Sequence, residues 1–104
     1  MWGGTGRPGF DCSGLTQAAY AAAGIRLPRT AQTQYTAGPT ATPGPARPGD
    51  LVFFGTDTRH ITHVGLAVSP TTMIDAPDTG QAVRLDPIPH TRLVGRTQPW
   101  TTRQ

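Results

Sequence analysis

Lysine, glutamate and asparagine are all absent from this chain, so its nine basic residues are all arginine and its six acids all aspartate. A lysine nucleophile and a glutamate-paired hydrolytic site are therefore excluded. Cysteine occurs once, at Cys12, which forbids an internal disulfide and leaves the redox compartment unassigned. No apolar run approaches the ~18 residues of a membrane span. Met1-Trp2-Gly3-Gly4 lacks the charged and apolar regions of a signal peptide, so work outside the cell would need an export signal from elsewhere. The arginines are scattered singly, without a basic run or interleaved aromatics. The net charge of +3 therefore reads as a solvated surface suited to anionic surroundings, and not as a nucleic-acid site.

What the chain does have in quantity is glycine and proline, thirteen and eleven of its 104 residues. Much of it must be turn and loop, and the length suits one small domain with one modest core. Residues 2–9 read as loop. From Asp11 onward Leu15, Ala18, Ala19, Ala22 and Ala23 recur at helical spacing, which predicts a helix over 12–23 with Asp11 as N-cap and Gly24 as its stop. A short helix over 30–35, with Thr30 a possible cap, follows an extended Ile25-Arg26-Leu27-Pro28. Residues 36–49 read as a surface loop. Strands are expected at 50–54 (bounded by Gly49 and Gly55), 61–68, 72–75, 82–85 and 93–97, separated by Pro-Asp-Thr-Gly and Asp-Pro turn signals. A helix followed by antiparallel strands argues α+β.

Chemistry gathers around Phe10-Asp11-Cys12-Ser13-Gly14-Leu15. A thiolate attacks carbonyls where a thiol barely does, and a helix N-terminus or a neighbouring imidazolium favours the thiolate. The same unpaired N–H groups can face an oxyanion. Cys12 is thus a candidate nucleophile, the alternative being a small buried apolar residue. Of three histidines, His63 lies mid-strand beside Gly65, which leaves room for close approach; it is a candidate base, or else a hydrogen-bonded strand residue. His60 and His90 read as surface. His60 and His63 should point to opposite faces of a strand, which argues against a zinc pair. Asp75, twelve residues on, would come near His63 in a hairpin and could orient its ring, or could merely cap the following turn. Asp78 reads as turn chemistry.

Several segments together resemble the NlpC/p-sixty family of cysteine peptidases. They are Trp2-Gly3-Gly4, Phe10 to Leu15, Leu27-Pro28-Arg29-Thr30, Pro48 to Phe54, His63-Val64-Gly65-Leu66 and Met73-Ile74-Asp75-Ala76-Pro77. The resemblance implies a papain-like α+β core, with the cysteine-bearing helix packed on an antiparallel sheet of about five strands. It implies one such domain over 1–104, without the family's usual preceding helix, working outside the cell or at the wall. It also implies hydrolysis of peptidoglycan stem peptides, typically between D-glutamate and the diamino acid, without a cofactor or metal. Cys12 would be nucleophile, His63 base and then acid, and Asp75 the polar third residue. Asp11, Ser13 and Arg29 would line the substrate cleft, Asp11 suiting a cationic group. Ala31 stands where a serine is common. Two further functions keep the same frame: a wall-binding module without activity, and a toxin-like transacylase or deamidase using the same Cys-His site.

Overall fold

Helix α1 (Cys12–Ala22) begins where the alanine periodicity begins, because Asp11 is extended at φ −78 and ψ 170 and its side chain accepts from the Gly14 N–H. It ends one residue short of the expected boundary. Gly24 takes a φ of +83, its N–H donates to the Ala21 carbonyl, and the Ile25 N–H reaches back to Tyr20. That pair of bonds is a Schellman closure, which satisfies carbonyls the helix would otherwise leave open.

The coordinates are a computed structural model, and the structure describes residues 11–41, 44–76 and 83–100. The loop expected over 2–9, Trp2-Gly3-Gly4, Phe10 and the turn containing Asp78 lie outside these residues. Helix α2 (Ala31–Ala37) has Thr30 as N-cap, in a capping box with Thr33. Then come β1 (Leu51–Asp57), β2 (His60–Ala67), β3 (Thr72–Asp75), β4 (Arg84–Pro87) and β5 (Leu93–Thr97). They form one sheet in the order β4-β3-β2-β1-β5 with every neighbouring pair antiparallel. This is the α+β arrangement expected.

Strand β1 carries the core on both faces. Leu51 and Phe53 pack with Val64 against Tyr20, Leu27 and Ala31 of the helical layer. Val52 and Phe54 pack with Ala46, Ala67 and Met73 on the other side. Burial on both faces is why Leu51-Val52-Phe53-Phe54 reads as an unbroken apolar run with no alternation. A third cluster joins Leu15 on α1 to Ala76 beyond β3, fixing the helix over that end of the sheet.

Helix α2 and strands β1, β2 and β4 are displaced by a residue or more from the bounds expected, and two of these differences have a clear cause. Gly55 does not end β1, which continues to Asp57 and turns through Thr58-Arg59 into His60. Asp86-Pro87 is not a turn but the second half of β4. Proline is tolerated there because β4 lies at the sheet margin, where a missing N–H breaks no ladder bond. Residue 82, expected in this strand, is outside the described set.

Candidate active site

The site forms where the start of α1 meets β2. Asp11 commits both carboxylate oxygens. Oδ1 accepts from the Gly14 N–H at 2.7 Å, and Oδ2 accepts from Arg29 at 2.8 Å. The other arm of the guanidinium donates to the Ser13 hydroxyl at 2.8 Å. Arg29 thus brackets Cys12 from both sides in sequence. The Arg29 hydrogen bond holds the Asp11 carboxyl below its usual value, against the opposing effect of burial and with help from the Gly14 N–H. With its charge already answered by Arg29, Asp11 is not an open carboxylate.

Beneath this clamp lies a pair of buried groups that hydrophobic periodicity cannot reveal. Gln34 on α2 donates to the Ser13 carbonyl at 3.1 Å and to the Pro28 carbonyl at 3.0 Å. Its side-chain oxygen accepts from the Thr16 hydroxyl at 2.7 Å. Gln34 therefore ties the first turn of α1 to the segment that carries Arg29. The only sequence signal for it is its place three residues after Ala31, on the buried face of α2.

Cys12 is the first residue of α1 and is half-buried, with its side chain against the helix-side core. The N–H groups of Gly14 and Leu15 are both taken by Asp11. Those of Cys12 and Ser13 make no such bond among the described residues. The thiol neighbours His63, and its interaction with the ring does most to raise the imidazole above its ordinary value of 6.5. Burial works against it; Asp75 works with it.

His63 owes its position to an irregularity in β2. Phe54 pairs with His63 but Gly55 pairs with Ile61, so Thr62 is an extra residue in the ladder. A bulge at this point re-aims the side chain that follows it. It also interrupts the strict alternation by which His60 and His63 were expected on opposite faces. His60 turns away to Asp57, with Nδ1 2.8 Å from Oδ1, and is mostly exposed, as is His90. Among the described residues no three His, Cys or Asp side chains gather as a metal site.

The second ring nitrogen of His63, Nε2, stands 2.8 Å from Asp75 Oδ2. Asp75 is only 2% exposed. Nearby, Gly65 leaves room for Met73: a Cβ there would sit 2.6 Å from Met73 Sδ, but at an ordinary 3.5 Å from Asp75 Cβ. Asp75 is held above the ordinary carboxylate value, first by burial and next by the Asp86 carboxyl, with His63 pulling the other way. Asp86-Pro87 has the composition of a turn, so the sequence alone does not mark Asp86 as part of the site. The hairpin register of β3 and β4 is the signal that finds it. Cys12, His63 and Asp75 are thus brought together, with Asp11, Ser13 and Arg29 ranged about the helix start.

Comparison with known proteins agrees with this geometry. Residues 1–99 match the sequence model of the NlpC/P60 family. A probable endopeptidase p60 of Listeria monocytogenes is 48% identical over 79 residues, which is 76% of this chain and 16% of the relative. The peptidoglycan endopeptidase RipA of Mycobacterium tuberculosis is 37% identical over 100 residues, 96% of this chain and 20% of the relative. The chain thus spans about a fifth or less of these two relatives. Among solved structures, an NlpC/P60 family protein from Bacillus cereus superposes with a TM-score of 0.79 at 29% identity, over 89% of this chain and 32% of that one. RipD of M. tuberculosis, described as a non-catalytic domain adapted to peptidoglycan binding, superposes with a TM-score of 0.73 at 33% identity, over 89% of this chain and 68% of that one. On its sequence, its sheet order and the residues gathered at the start of its first helix, the chain belongs to the NlpC/P60 family, whose members include peptidoglycan endopeptidases.

Proposed function

We propose that this chain is a cysteine-type peptidoglycan endopeptidase that cleaves stem peptides through a thioester intermediate. The observation that carries the reading is the run from Cys12 to His63 to Asp75, set at a helix start whose Cys12 and Ser13 N–H groups have no partner among the described residues. His63 takes the thiol proton, and the resulting thiolate is favoured by the helix dipole and by the neighbouring imidazolium. The sulfur adds to the peptide carbonyl carbon, and the oxyanion finds the N–H groups of Cys12 and Ser13. His63 then gives its proton to the departing amine as the C–N bond breaks, leaving the acyl group on sulfur. Water, deprotonated by the same imidazole, attacks the thioester and releases the acid with the thiol restored. Asp75 keeps Nε2 occupied, so that the other nitrogen, Nδ1, faces the thiol. The stem-peptide substrate, with cleavage between D-glutamate and the diamino acid, is taken from the family resemblance, as is work at or outside the cell wall.

Digestion of purified peptidoglycan followed by mass analysis of the fragments tests this. The expected products are shortened stem peptides from the wild type and none from Cys12→Ala; digestion by Cys12→Ala would end the proposal. A second reading, a wall-binding module without turnover, is favoured by the likeness to RipD. It predicts retention on peptidoglycan with no fragments released and no selective alkylation of Cys12.

A further inference from the structure

The buried carboxyl of Asp75 has one oxygen against His63 and the other, Oδ1, without a hydrogen-bond donor among the described residues. An orphaned acceptor at such depth is costly, so a proton on one of the neighbouring groups would change the balance. The neighbour is Asp86. On the adjoining strand Met73 pairs with Asp86 and Asp75 with Arg84, so Asp86 is the diagonal partner of Asp75 on the same face of the sheet. That register sets the two carboxyls side by side across the strands, and each acts on the other's ionisation, Asp75 upward and Asp86 downward. Arg84 in turn holds Asp86 through both oxygens, at 2.9 and 3.1 Å from Nε.

Two carboxylates in contact repel, and neither can donate a hydrogen bond. One proton between them removes both difficulties. Its location follows from the surroundings: Asp75 is buried, whereas Asp86 is nearer solvent and has a guanidinium beside it. Among the described residues, the charged and titratable groups facing Asp75 are His63 from β2 and Asp86 with Arg84 from β4. Helix α1 presents apolar Leu15 to the adjacent Ala76, and Cys12 reaches Asp75 only by way of His63.

We propose that Asp86 is a positioning residue for this site, sharing one proton with Asp75, which donates it from Oδ1 to the Asp86 carboxylate while Oδ2 faces His63. Asp75 then meets the imidazole as a neutral acid, and its Oδ2 accepts from His63 Nε2–H. As the pair loses that proton on the alkaline side of the usual carboxylate range, the partner of His63 becomes an anion and holds the imidazolium more strongly. The thiol–imidazole couple is thereby tuned from one strand further away than the three residues in line. The inference rests on the reading of Cys12 and His63 as that couple.

The test is a carboxyl-carbon NMR titration of the 104-residue protein, with Asp75 assigned by Asp75→Asn, combined with the pH profile of Cys12 alkylation by iodoacetamide. In the wild type the Asp75 carboxyl should titrate above about 3.9. In Asp86→Asn, whose amide donates to Oδ1, it should fall by about one pH unit or more. The alkylation profile should lose the corresponding inflection in Asp86→Asn and regain it in Asp86→Glu. An Asp75 titration unchanged by Asp86→Asn overturns the proposal. Should Asp86→Asn not fold, Arg84→Met serves: it should raise the first ionisation of the pair, and no change there also overturns the proposal. Carboxyl coupling that persists beside an unreactive Cys12 would sink the enzymatic reading alone and uphold the shared proton.

Discussion

Arg29 reaches back eighteen residues to bind Asp11 at 2.8 Å, while its other nitrogen holds Ser13, so one guanidinium spans the residues on either side of Cys12. The pair is largely exposed, with side-chain accessibilities of 58% and 34%, and exposed pairs add little to stability. Arg29→Met should therefore shift unfolding by less than about 1 kcal/mol yet lower turnover at least tenfold, because the first turn of α1 loses its brace. The lowered Asp11 carboxyl means this contact is present above the ordinary carboxylate range and is lost as pH falls through the depressed value. Thermal melts beside muropeptide hydrolysis check both halves.

His63 carries its proton to higher pH than a free histidine, chiefly through Cys12. A raised value in the folded state gives stability that is complete below the unfolded value near 6.5 and is lost as pH rises through the folded one. The imidazolium that protonates the departing amine disappears over the same window. kcat/KM should accordingly show an alkaline limb above 6.5, and chemical unfolding a parallel loss of stability. In His63→Ala both limbs should vanish along with selective alkylation of Cys12.

Space at Gly65 accommodates the Met73 side chain next to Asp75. Gly65→Ala would press a methyl against Met73, which is 4% exposed and packed in the core. A destabilisation of about 1–3 kcal/mol is expected from such overpacking. Combining it with Met73→Ala should recover part of the Gly65→Ala loss, a non-additive cycle readable by urea unfolding.

Gln34 supports the site from below. Gln34→Leu keeps the bulk but takes the amide donor from the Pro28 carbonyl and leaves the Thr16 hydroxyl and the Ser13 carbonyl only their 3.1 Å bond to each other in place of the Gln34 network. A loss of about 3 kcal/mol is expected, with faster amide exchange in the first turn of α1. Hydrogen exchange at Leu15 and Thr16, compared with that in β1, separates this local loosening from global unfolding.

Much of the architecture was legible because local signals agreed with the tertiary outcome. Asp11, Gly24 and Thr30 each act at the helix end that their chemistry favours, and the limits of β3 and β5 coincide with those expected. What stayed hidden depends on contacts between elements. Gln34 is polar yet buried, so its pattern resembles a solvated position. Asp86-Pro87 has turn composition, and only its place at the sheet margin makes it strand. The bulge at Thr62 leaves no mark in composition, although it directs His63. Cys12 and His63 could be named as candidates from their neighbours in the chain, whereas the commitment of Asp11 to Arg29 required coordinates.

The margins of the sheet carry a consequence for behaviour in concentrated solution. Along β5, Thr40 bridges to Thr97, Ala41 donates to Arg96 and Gln98 donates to Pro39, so the chain's own loop occupies that side of the ladder. On β4, Pro87 offers no N–H and Arg84 and Asp86 crowd the short strand with charge. Neither flank presents a clean template for a strand from another molecule. A domain with so much of its backbone in pleated ribbon is thereby guarded against growing into fibres, and removing Pro87 would lift one of those guards.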